Sequence, residues 1–452
     1  IGNGVSSRAV IRKGELRYLV RTAPAGQIFT VLDGANRPLK GAKLWMAGRQ
    51  YEAEPSGEIV VPLTNRPGRQ PIVVTHGDLS ALHQFDHQSA NYALTAGIYV
   101  DREALLAHQK ATILVRPGLM LNGMPVTLKV LEDVRLSVTS TNQEGIETTQ
   151  EVASFPLFED RESEHEIQVP PRLAKLRVEL RAKVQPVSKT KKIDLKARQE
   201  CAINGIDQSD KIEDLHLAKL GDTYLLSLLG RSGEPRPGRP VHLQLKHRDF
   251  TAAVHVTLQS DAKGRIHLGK LTDIDQITAK GDGLADHTWQ LRGDRYRFYR
   301  VMHFLAGTPI HVPYNAASGK PARSDVSLLE LRGSSFVADH FDQVTVRDGF
   351  LVINGLPPGD YDLLLKREAA PIRLRVGRGQ RLDQYVVGPT RQLEIRNDRP
   401  LQIAAVDVGK DQLRITLRHA TRFTRVHLLA TRFEPAFSAY DRLATVHDAE
   451  PL

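Results

Sequence analysis

The densest group of potential metal ligands in the sequence consists of three histidines and an aspartate. They are His76, His83, Asp86 and His87. If this segment were helical, His83 and His87 would lie on one face, and zinc accepts imidazole and carboxylate ligands. A zinc-binding helix of a hydrolase also carries a glutamate base, which is missing here. A metal-dependent hydrolase is therefore one hypothesis, and histidines on a surface or loop are the simpler interpretation.

A stretch rich in arginine and aromatic residues occupies positions 292–300. On a strand, its side chains would point alternately to two sides. Arginines beside aromatic rings could bind an acidic glycan or a phosphate, and the alternative is a strand with an aromatic inner face and a basic outer face. The candidate binding residues are Arg295, Arg297, Tyr299 and Arg300.

A second row of histidines, His242, His247, His255 and His267, falls on alternating positions of the central predicted strands. On the first two of these strands the polar trios are His242, Gln244 and Lys246, and His255, Thr257 and Gln259. Alternation would place each trio on one face of its strand. The row could form a shallow binding strip, or it could be the polar outer face of a sheet with no function.

The remaining reactive residues do not assemble a catalytic set. The acidic residues at positions 207–214 could hold calcium, but they do not match the EF-hand loop pattern. The glycine and serine clusters lack the spacing of a nucleophile elbow. No enzymatic activity and no cofactor are predicted.

The elements that must position these residues are predicted to be short strands, most clearly over residues 228–271. Two alternating apolar runs, 241–245 and 254–258, are bounded by turns rich in glycine, proline and aspartate, and a third run, 266–268, follows. Period-two alternation between such turns indicates strands of a half-buried antiparallel sheet.

Residues 31–63 repeat this order of features. The turn with Pro38 and Gly41 corresponds to the turn with Pro235 and Gly238. Later turns end on Gly57 and Gly264, and each is followed by an isoleucine, Ile59 or Ile266. Two copies of one spaced pattern favour a repeated β-sandwich module.

The same pattern continues along the rest of the chain. Residues 175–184 alternate cleanly between apolar and charged side chains, which predicts a buried face under a solvated one. A short helix capped by Asp101 is expected over residues 101–108. Further strands are expected over residues 401–406, 413–417 and 426–430. The predicted fold is all-β, a tandem array of antiparallel β-sandwich domains.

The domain boundaries follow from this pattern. The predicted β-sandwiches are residues 1–98, 99–200 with the short helix at its start, and 201–290, followed by a β domain over residues 291–388 and a partial β domain or linker over residues 389–452. A chain of this length exceeds what one hydrophobic core supports.

Composition limits the class of function. The net charge is +10, but the basic residues are interspersed with 52 acidic ones, so nucleic-acid binding is not expected. A single cysteine, Cys201, excludes an intrachain disulfide. No apolar segment is long enough to predict a transmembrane helix. The first residue is Ile1, which predicts a processed or excised piece of a longer polypeptide.

Several phrases of the sequence resemble known families. Residues 31–63, residues 228–271 and the segment Ile113-Leu114-Val115-Arg116-Pro117-Gly118 resemble macroglobulin-type β-sandwich domains of bacterial α2-macroglobulin-like proteins. The segment Gly355-Leu356-Pro357-Pro358-Gly359-Asp360-Tyr361 resembles carboxypeptidase-regulatory, prealbumin-like modules. The Cys-Gly-Glu-Gln thioester of macroglobulins is missing, because Cys201 is followed by Ala202. The resemblance implies scaffold or interaction domains.

The function predicted from these observations is a non-enzymatic scaffold or protein-interaction segment of a larger exported bacterial protein. Its expected location is extracellular, at the cell surface or periplasmic. Expected partners are other domains of the same polypeptide or a separate protein, with acidic polysaccharide as a possible ligand. The alternatives are an acidic glycan-binding or anion-binding surface and the metal-dependent hydrolase.

Overall fold

Short strands make up nearly all of the regular secondary structure in the computed structural model. The structure describes residues 14–186, 191–203, 212–291, 298–314, 316, 318–366, 370–389, 391–395, 399–435 and 443. Helical structure in the described residues up to 435 consists of 3-10 turns, such as Arg102–Ala104, Leu128–Val130 and Phe341–Gln343. No helix there is long and apolar enough to cross a bilayer. The all-β prediction is confirmed.

The first sandwich packs a three-stranded sheet on a four-stranded one. Its first, second and fifth strands form one sheet in the order β1-β2-β5, and the other sheet has the order β4-β3-β6-β7. This is the two-sheet architecture of immunoglobulin-like sandwiches. The strands are β1 (Leu16–Ala23), β2 (Gly26–Asp33), β3 (Lys43–Met46), β4 (Arg49–Glu52), β5 (Glu58–Val61), β6 (Gly68–His76) and β7 (Leu79–His87).

The second sandwich repeats this arrangement with one extra short strand. Its strands are β8 (Tyr92–Val100), β9 (Lys110–Leu121), β10 (Met124–Val126), β11 (Leu131–Asn142), β12 (Glu147–Ala153), β13 (Ser163–Gln168), β14 (Leu173–Val184) and β15 (Ile193–Ala202). The smaller sheet pairs β9 with β8, β13 and β10, and the four-stranded sheet has the order β12-β11-β14-β15.

The third sandwich has the strand order of the first. Its strands are β16 (Glu213–Leu220), β17 (Thr223–Gly230), β18 (Pro240–His247), β19 (Val254–Gln259), β20 (Arg265–Gly269), β21 (Ile274–Lys280) and β22 (His287–Gln290). The two sheets are β16-β17-β20 and β19-β18-β21-β22. Three consecutive stretches of chain thus place equivalent strands in equivalent positions.

The fourth sandwich has a different strand order. A five-stranded sheet, β23-β30-β29-β25-β26, packs on the sheet β24-β28-β27, and β23 pairs with β30 in the parallel sense. The strands are β23 (Val301–Leu305), β24 (Ile310–Pro313), β25 (Val326–Arg332), β26 (Ser335–Asp339), β27 (Val344–Arg347), β28 (Phe350–Ile353), β29 (Gly359–Leu365) and β30 (Ala370–Gly377).

Two small sheets follow the fourth sandwich. The first has the order β31-β32-β33, and the second is a hairpin of two strands. Their bounds are β31 (Gln380–Leu382), β32 (Tyr385–Val387), β33 (Gln392–Glu394), β34 (Gln402–Val408) and β35 (Leu413–Arg418). The predicted strands over residues 401–406 and 413–417 correspond to this hairpin. Residues 426–430 form no strand.

Four large clusters of buried apolar residues lie between the paired sheets. Each draws on one continuous stretch of the chain and takes side chains from both sheets of its sandwich. Burial of such faces is the main favourable term in folding. The predicted domain boundaries stay predictions. The boundary predicted at residue 98 falls within β8, whose residues Leu94 and Ile98 belong to the second core.

The repeat read from the sequence occupies equivalent places in the first and third sandwiches. Ile59 on β5 pairs with Phe29 on β2, and Ile266 on β20 pairs with Leu226 on β17, with both isoleucines buried. The preceding turn needs glycine at Gly264, where φ is +69° and a Cβ atom would lie 2.7 Å from a backbone carbonyl oxygen. The shared pattern therefore reflects shared turn geometry.

Two local features show how single residues fix the chain. Asp101 caps a 3-10 turn by accepting a hydrogen bond from the Glu103 amide at 3.0 Å. The predicted helix is therefore confined to Arg102–Ala104, because Leu105 already enters the core.

Tyr361 is fully buried and its hydroxyl donates to the Pro357 carbonyl at 2.8 Å, while burial raises its pKa to about 12. This contact fixes the turn of the Gly355–Tyr361 phrase, as in a tyrosine corner.

Candidate interaction surfaces

Two members of the second histidine row, His242 and His255, lie on the outer face of the four-stranded sheet of the third sandwich. His247 is the last residue of β18, and His267 lies on β20 in the other sheet. Gln244 pairs with His255, and His242 pairs with Thr257, across β18 and β19. On the other side of β18, His242 and Gln244 pair with residues of β21. Val241 and Leu243, which alternate with His242 and Gln244 in sequence, are buried. The alternation predicted from the sequence therefore holds, and the polar residues form one continuous surface.

Many hydrogen-bonding side chains of this outer face are exposed to solvent. His242 contacts Thr257 through Nδ1 at 2.7 Å, and the Thr278 and Thr288 hydroxyl groups are 3.0 Å apart. The side chains of His242, Gln244 and His255 are exposed. They line a shallow depression of about 340 Å³, together with Leu243, Val256, Thr257, Thr278 and Lys280. Exposed neutral donors and acceptors of this kind suit a polar interface.

The strand at the edge of this sheet, β19, is open to pairing. It pairs with β18 on one side, and no described strand pairs with its other side. Its sequence, Val-His-Val-Thr-Leu-Gln, contains no proline and no charged residue. Natural edge strands usually carry such residues to prevent pairing with another chain. The edge of β19 is therefore a template to which a partner strand can be added.

Apolar side chains flank this edge where β18 turns into β19. Phe250 is 63% exposed and Val254 is 58% exposed. The Phe250 ring lies 4.7 Å from the His247 ring. Val254 pairs with Leu245 of β18. Paired residues of neighbouring strands point to the same side of a sheet, so Val254 lies on the inner side with Leu245. Sequence reasoning missed these two residues, although apolar residues beside a turn are a usable signal of an interaction surface.

The corresponding face of the second sandwich is charged. Basic residues of β14 lie between acidic residues of the flanking strands, and the pairs include Arg177 with Glu147 at 3.2 Å and Lys175 with Glu200 at 2.8 Å. Arg135 bridges Asp133 and Glu151 at 2.8 and 2.9 Å. The cations of this face are therefore largely neutralised by acids of the same face.

Carboxylate pKa values on this charged face reflect the pairing. The hydrogen bond from Lys183 is the largest of the effects that lower the pKa of Asp133 to about 2, and Arg135 adds to it. The Lys175 ammonium group likewise lowers the pKa of Glu200. These carboxylates are held in the charged form by their neighbours. A groove of about 570 Å³ runs beside Asp133 and Arg135.

The four predicted metal ligands do not come together. Their segment forms the hairpin of β6 and β7 rather than a helix, and Asp86 is exposed on the side opposite His83 and His87. The Nε2 atoms of His76, His83 and His87 each contact a backbone carbonyl oxygen, at 3.2, 2.9 and 2.8 Å. Within the residues that the structure describes, no group of three or more His, Cys, Asp or Glu side chains could hold a metal ion.

The arginine-rich stretch is described only in part. Arg295 and Arg297 lie outside the described residues. Tyr299 is partly buried against the fourth core, as is its neighbour Phe298. Arg300 is exposed and its carbonyl accepts a hydrogen bond from the Arg373 amide at 2.8 Å. The two described candidates therefore differ, since Tyr299 serves packing and Arg300 faces solvent.

The segment after β35 contacts the second and third sandwiches. Arg425 and His427 lie 3.0 and 3.1 Å from one carboxylate oxygen of Glu162, and the Arg425 and Glu162 side chains are largely buried. The Glu434 amide donates to the Leu217 carbonyl on β16 at 2.7 Å. Burial lowers the pKa of the nearby Arg116 guanidinium, and Arg425 adds to this effect. Residues 419–435 therefore act as a strap, a role that the sequence did not predict.

Comparison with known proteins gives one family match and one extended relative. Residues 101–209 match the model of the "AbpF third immunoglobulin-like domain". The chain is 29% identical over 472 residues to "Actin-binding protein F" of Dictyostelium discoideum. That alignment covers 98% of this chain and 20% of the relative, so the chain spans about a fifth of the relative's length.

Solved structures give weaker similarity. Native alpha-2-macroglobulin from Escherichia coli, in a structure spanning domains MG0-NIE-MG1, has a TM-score of 0.20 and 9% identity over 61% of this chain and 97% of that one. The FN1-FN3 domains of chicken CNTN1 have a TM-score of 0.16 and 10% identity over 61% of this chain and 96% of that one. These scores are too low to carry an argument. The match to the family model and the strand arrangement described above support the immunoglobulin-like fold class.

Proposed function

We propose that this chain is a non-enzymatic interaction segment of a longer protein, built from immunoglobulin-like sandwiches, and that it binds a protein partner through the third sandwich. The surface, here called the β19 surface, consists of the edge of β19 with Phe250, His242 and Gln244. The observation that carries the proposal is the uncharged, unpaired edge of β19 beside exposed apolar and neutral polar side chains.

The partner suggested for this surface is filamentous actin. The relative that aligns with almost the whole chain is named as an actin-binding protein, and the matched family model is an immunoglobulin-like domain of a protein of the same name. The relative is about five times longer than the aligned part, so its actin-binding activity is transferred to this chain as a proposal. Immunoglobulin-like sandwiches have many unrelated functions, so the function of this chain has to be argued from its exposed surface and not from its fold.

The β19 surface is favoured over the charged face of the second sandwich for a physical reason. A partner that binds the charged face must first replace ion pairs such as Arg177 with Glu147, so it gains little net energy. The edge of β19 offers main-chain hydrogen bonds, and Val254 and Phe250 offer apolar area now in contact with water. Binding there adds contacts without breaking existing ones.

The test is co-sedimentation of the chain with purified actin filaments, using a matched pair of variants. Val254→Lys places a charge on the open edge and should weaken binding about fivefold or more, because charged edges oppose strand addition. Gln150→Lys is the control, since Gln150 is exposed on β12, the equivalent edge strand of the second sandwich. It should leave binding within about twofold of the unmodified chain.

The possible outcomes separate the partner from the surface. If the unmodified chain stays in the supernatant, actin is not the partner of this segment. If the chain co-sediments and both variants bind equally well, the β19 surface is not the binding site. Circular dichroism of each variant checks that the sandwiches remain folded.

The other hypotheses from the sequence rank below this proposal. Acidic-glycan binding through the arginine-rich stretch stays a prediction, with Arg300 as its exposed described residue. Export to the cell surface or periplasm and a bacterial source also stay predictions, as does the resemblance to carboxypeptidase-regulatory-like modules. The hydrolase hypothesis loses its geometric basis, because Asp86 lies on the opposite side of β7 from His83 and His87.

A further inference from the structure

A cavity of about 410 Å³ lies where the fourth sandwich meets the small sheets that follow it. Its volume is in the range of sites for small molecules, roughly 300 to 1,000 Å³. Such sites often form where separate modules meet, because side chains from several segments converge there. The described residues that line the cavity are Phe304, Leu305, Thr308, Pro309, His311, Arg381, Ile395, Arg399 and His419.

The polar side of the cavity is basic. Two arginines, Arg381 and Arg399, and two histidines, His311 and His419, reach it from four separate positions along the chain. None of the described lining residues carries a carboxylate. Arg399 is exposed and forms no ion pair with any described residue. The described polar lining is therefore basic, which makes the site complementary to an anion.

The remaining lining of the cavity is largely apolar. Phe304 and Ile395 are 3% and 7% exposed, so both are fixed in packed positions. Leu305 packs beside Ile395 in a small cluster with Val386 and Leu393. An apolar wall facing basic groups suits a ligand with an apolar body and one charged end.

The two histidines are held in defined positions. His419 contacts the Pro400 carbonyl through Nδ1 at 2.9 Å, and because a carbonyl only accepts, Nδ1 carries the hydrogen. The His311 ring lies 6.2 Å from the His419 ring. Burial lowers the pKa of His311, and His419 and Arg399 lower it further.

Asp348, which shares a smaller cavity with the two histidines, already has basic partners. A smaller cavity of about 180 Å³ adjoins His311 and His419 and is lined in part by Arg347, Asp348 and Arg418. Asp348 lies 3.7 Å from Arg418 and 3.9 Å from Arg347. Its charge is therefore shared with two guanidinium groups, and it does not neutralise the larger cavity.

We propose that the larger cavity binds a free small organic anion, with a carboxylate or phosphate group against Arg399 and the two histidines and an apolar group against Phe304 and Ile395. This site is independent of the β19 surface. A bound carboxylate would favour the protonated form of His311, so a carboxylate ligand should bind more tightly at pH 6 than at pH 8.

The test is calorimetric titration of the full chain with phenyl phosphate and benzoate. At least one of the two probes should bind at a single saturable site. Arg399→Gln should weaken that binding about tenfold, the loss expected for one hydrogen bond to a charged group. The matched control is Arg332→Gln, since Arg332 is exposed at the end of β25 and does not line the cavity. It should leave affinity within about twofold.

Two further probes test the parts of the proposal separately. Benzyl alcohol, which has the ring without the charge, should not compete, and inorganic phosphate should bind more weakly than phenyl phosphate because it lacks the apolar group. The proposal is overturned if neither anionic probe saturates, if Arg332→Gln weakens binding as much as Arg399→Gln, or if benzyl alcohol binds as tightly as the anions. Thermal unfolding of both variants verifies that they are folded.

Discussion

The outer faces of the four-stranded sheets in the second and third sandwiches have the same strand order and opposite chemistry. On the second sandwich, acids and bases alternate across neighbouring strands and pair with one another. On the third sandwich, this face carries mainly histidine, glutamine and threonine with two lysines, Lys246 and Lys280, and the side chains of His242, Gln244 and His255 are exposed. One backbone arrangement therefore supports a self-neutralised surface and an open one, because the outward positions do not determine the fold.

The largest expected effect comes from the inner faces, which should behave alike. Leu180 and Ile277 are fully buried in the second and third cores. We expect Leu180→Ala and Ile277→Ala each to lower the free energy of unfolding by about 2 to 5 kcal/mol, since each leaves a cavity. Hydrogen exchange measured on peptides of β14 and β21 reports the two sandwiches separately.

Each core substitution should weaken protection in its own sandwich and spare the other. Loss of protection in both sandwiches after one substitution would show that the two cores unfold together. The comparison between two separate modules would then fail.

An intermediate effect is expected from acid on the charged face. The pKa of Asp133 is lowered to about 2, mainly by the hydrogen bond from Lys183. A carboxylate with a lowered folded-state pKa stabilises the protein above its unfolded pKa of about 4, and this contribution is lost as the pH falls toward 2. Asp133→Asn should therefore destabilise the second sandwich most above about pH 4.

The measurement for Asp133 is hydrogen exchange of β11 and β14 in both proteins across this pH range. The difference between the unmodified chain and Asp133→Asn should shrink as the pH falls. Asp222→Asn, an exposed aspartate of the third sandwich, controls for the loss of one carboxylate. A difference that stays constant between about pH 5 and pH 2 would contradict an ionic role for Asp133.

The smallest effects come from single substitutions on the outer faces. Arg177→Ala should cost about 0.2 to 1 kcal/mol, and the cost should decrease at high salt because its ion pair with Glu147 is screened. Gln244→Ala should change stability by less than about 0.5 kcal/mol at any salt concentration. Urea unfolding in low and high salt measures both, and equal salt dependence would remove the distinction between the two faces.

Much of the fold was accessible from the sequence because alternation and turn residues are local signals. Residues 175–184 illustrate this, since Leu176, Val178, Leu180 and Ala182 are all buried as their spacing predicts. The helix prediction at residues 101–108 was wrong beyond one turn, because Leu105 packs into the core. Propensity and capping could not reveal that the chain must turn there to enter β9.

The candidate sites were less accessible because they depend on contacts between distant residues. The part of the histidine row formed by His242 and His255 was found because the two residues lie on adjacent strands. The basic cavity was missed because His311, Arg381, Arg399 and His419 are far apart in sequence and each is unremarkable alone. The metal hypothesis failed for the opposite reason, since residues close in sequence point to different sides of a strand.

The sequence by itself determined the strands, the turns between them and the side of each strand that is buried, because these follow from the two-residue period and from glycine and proline geometry. Only the tertiary structure decided which strand lies at an open edge, which charges neutralise one another and which basic side chains share a cavity. Those properties depend on how strands far apart in the chain are placed in space, and no local pattern encodes that placement.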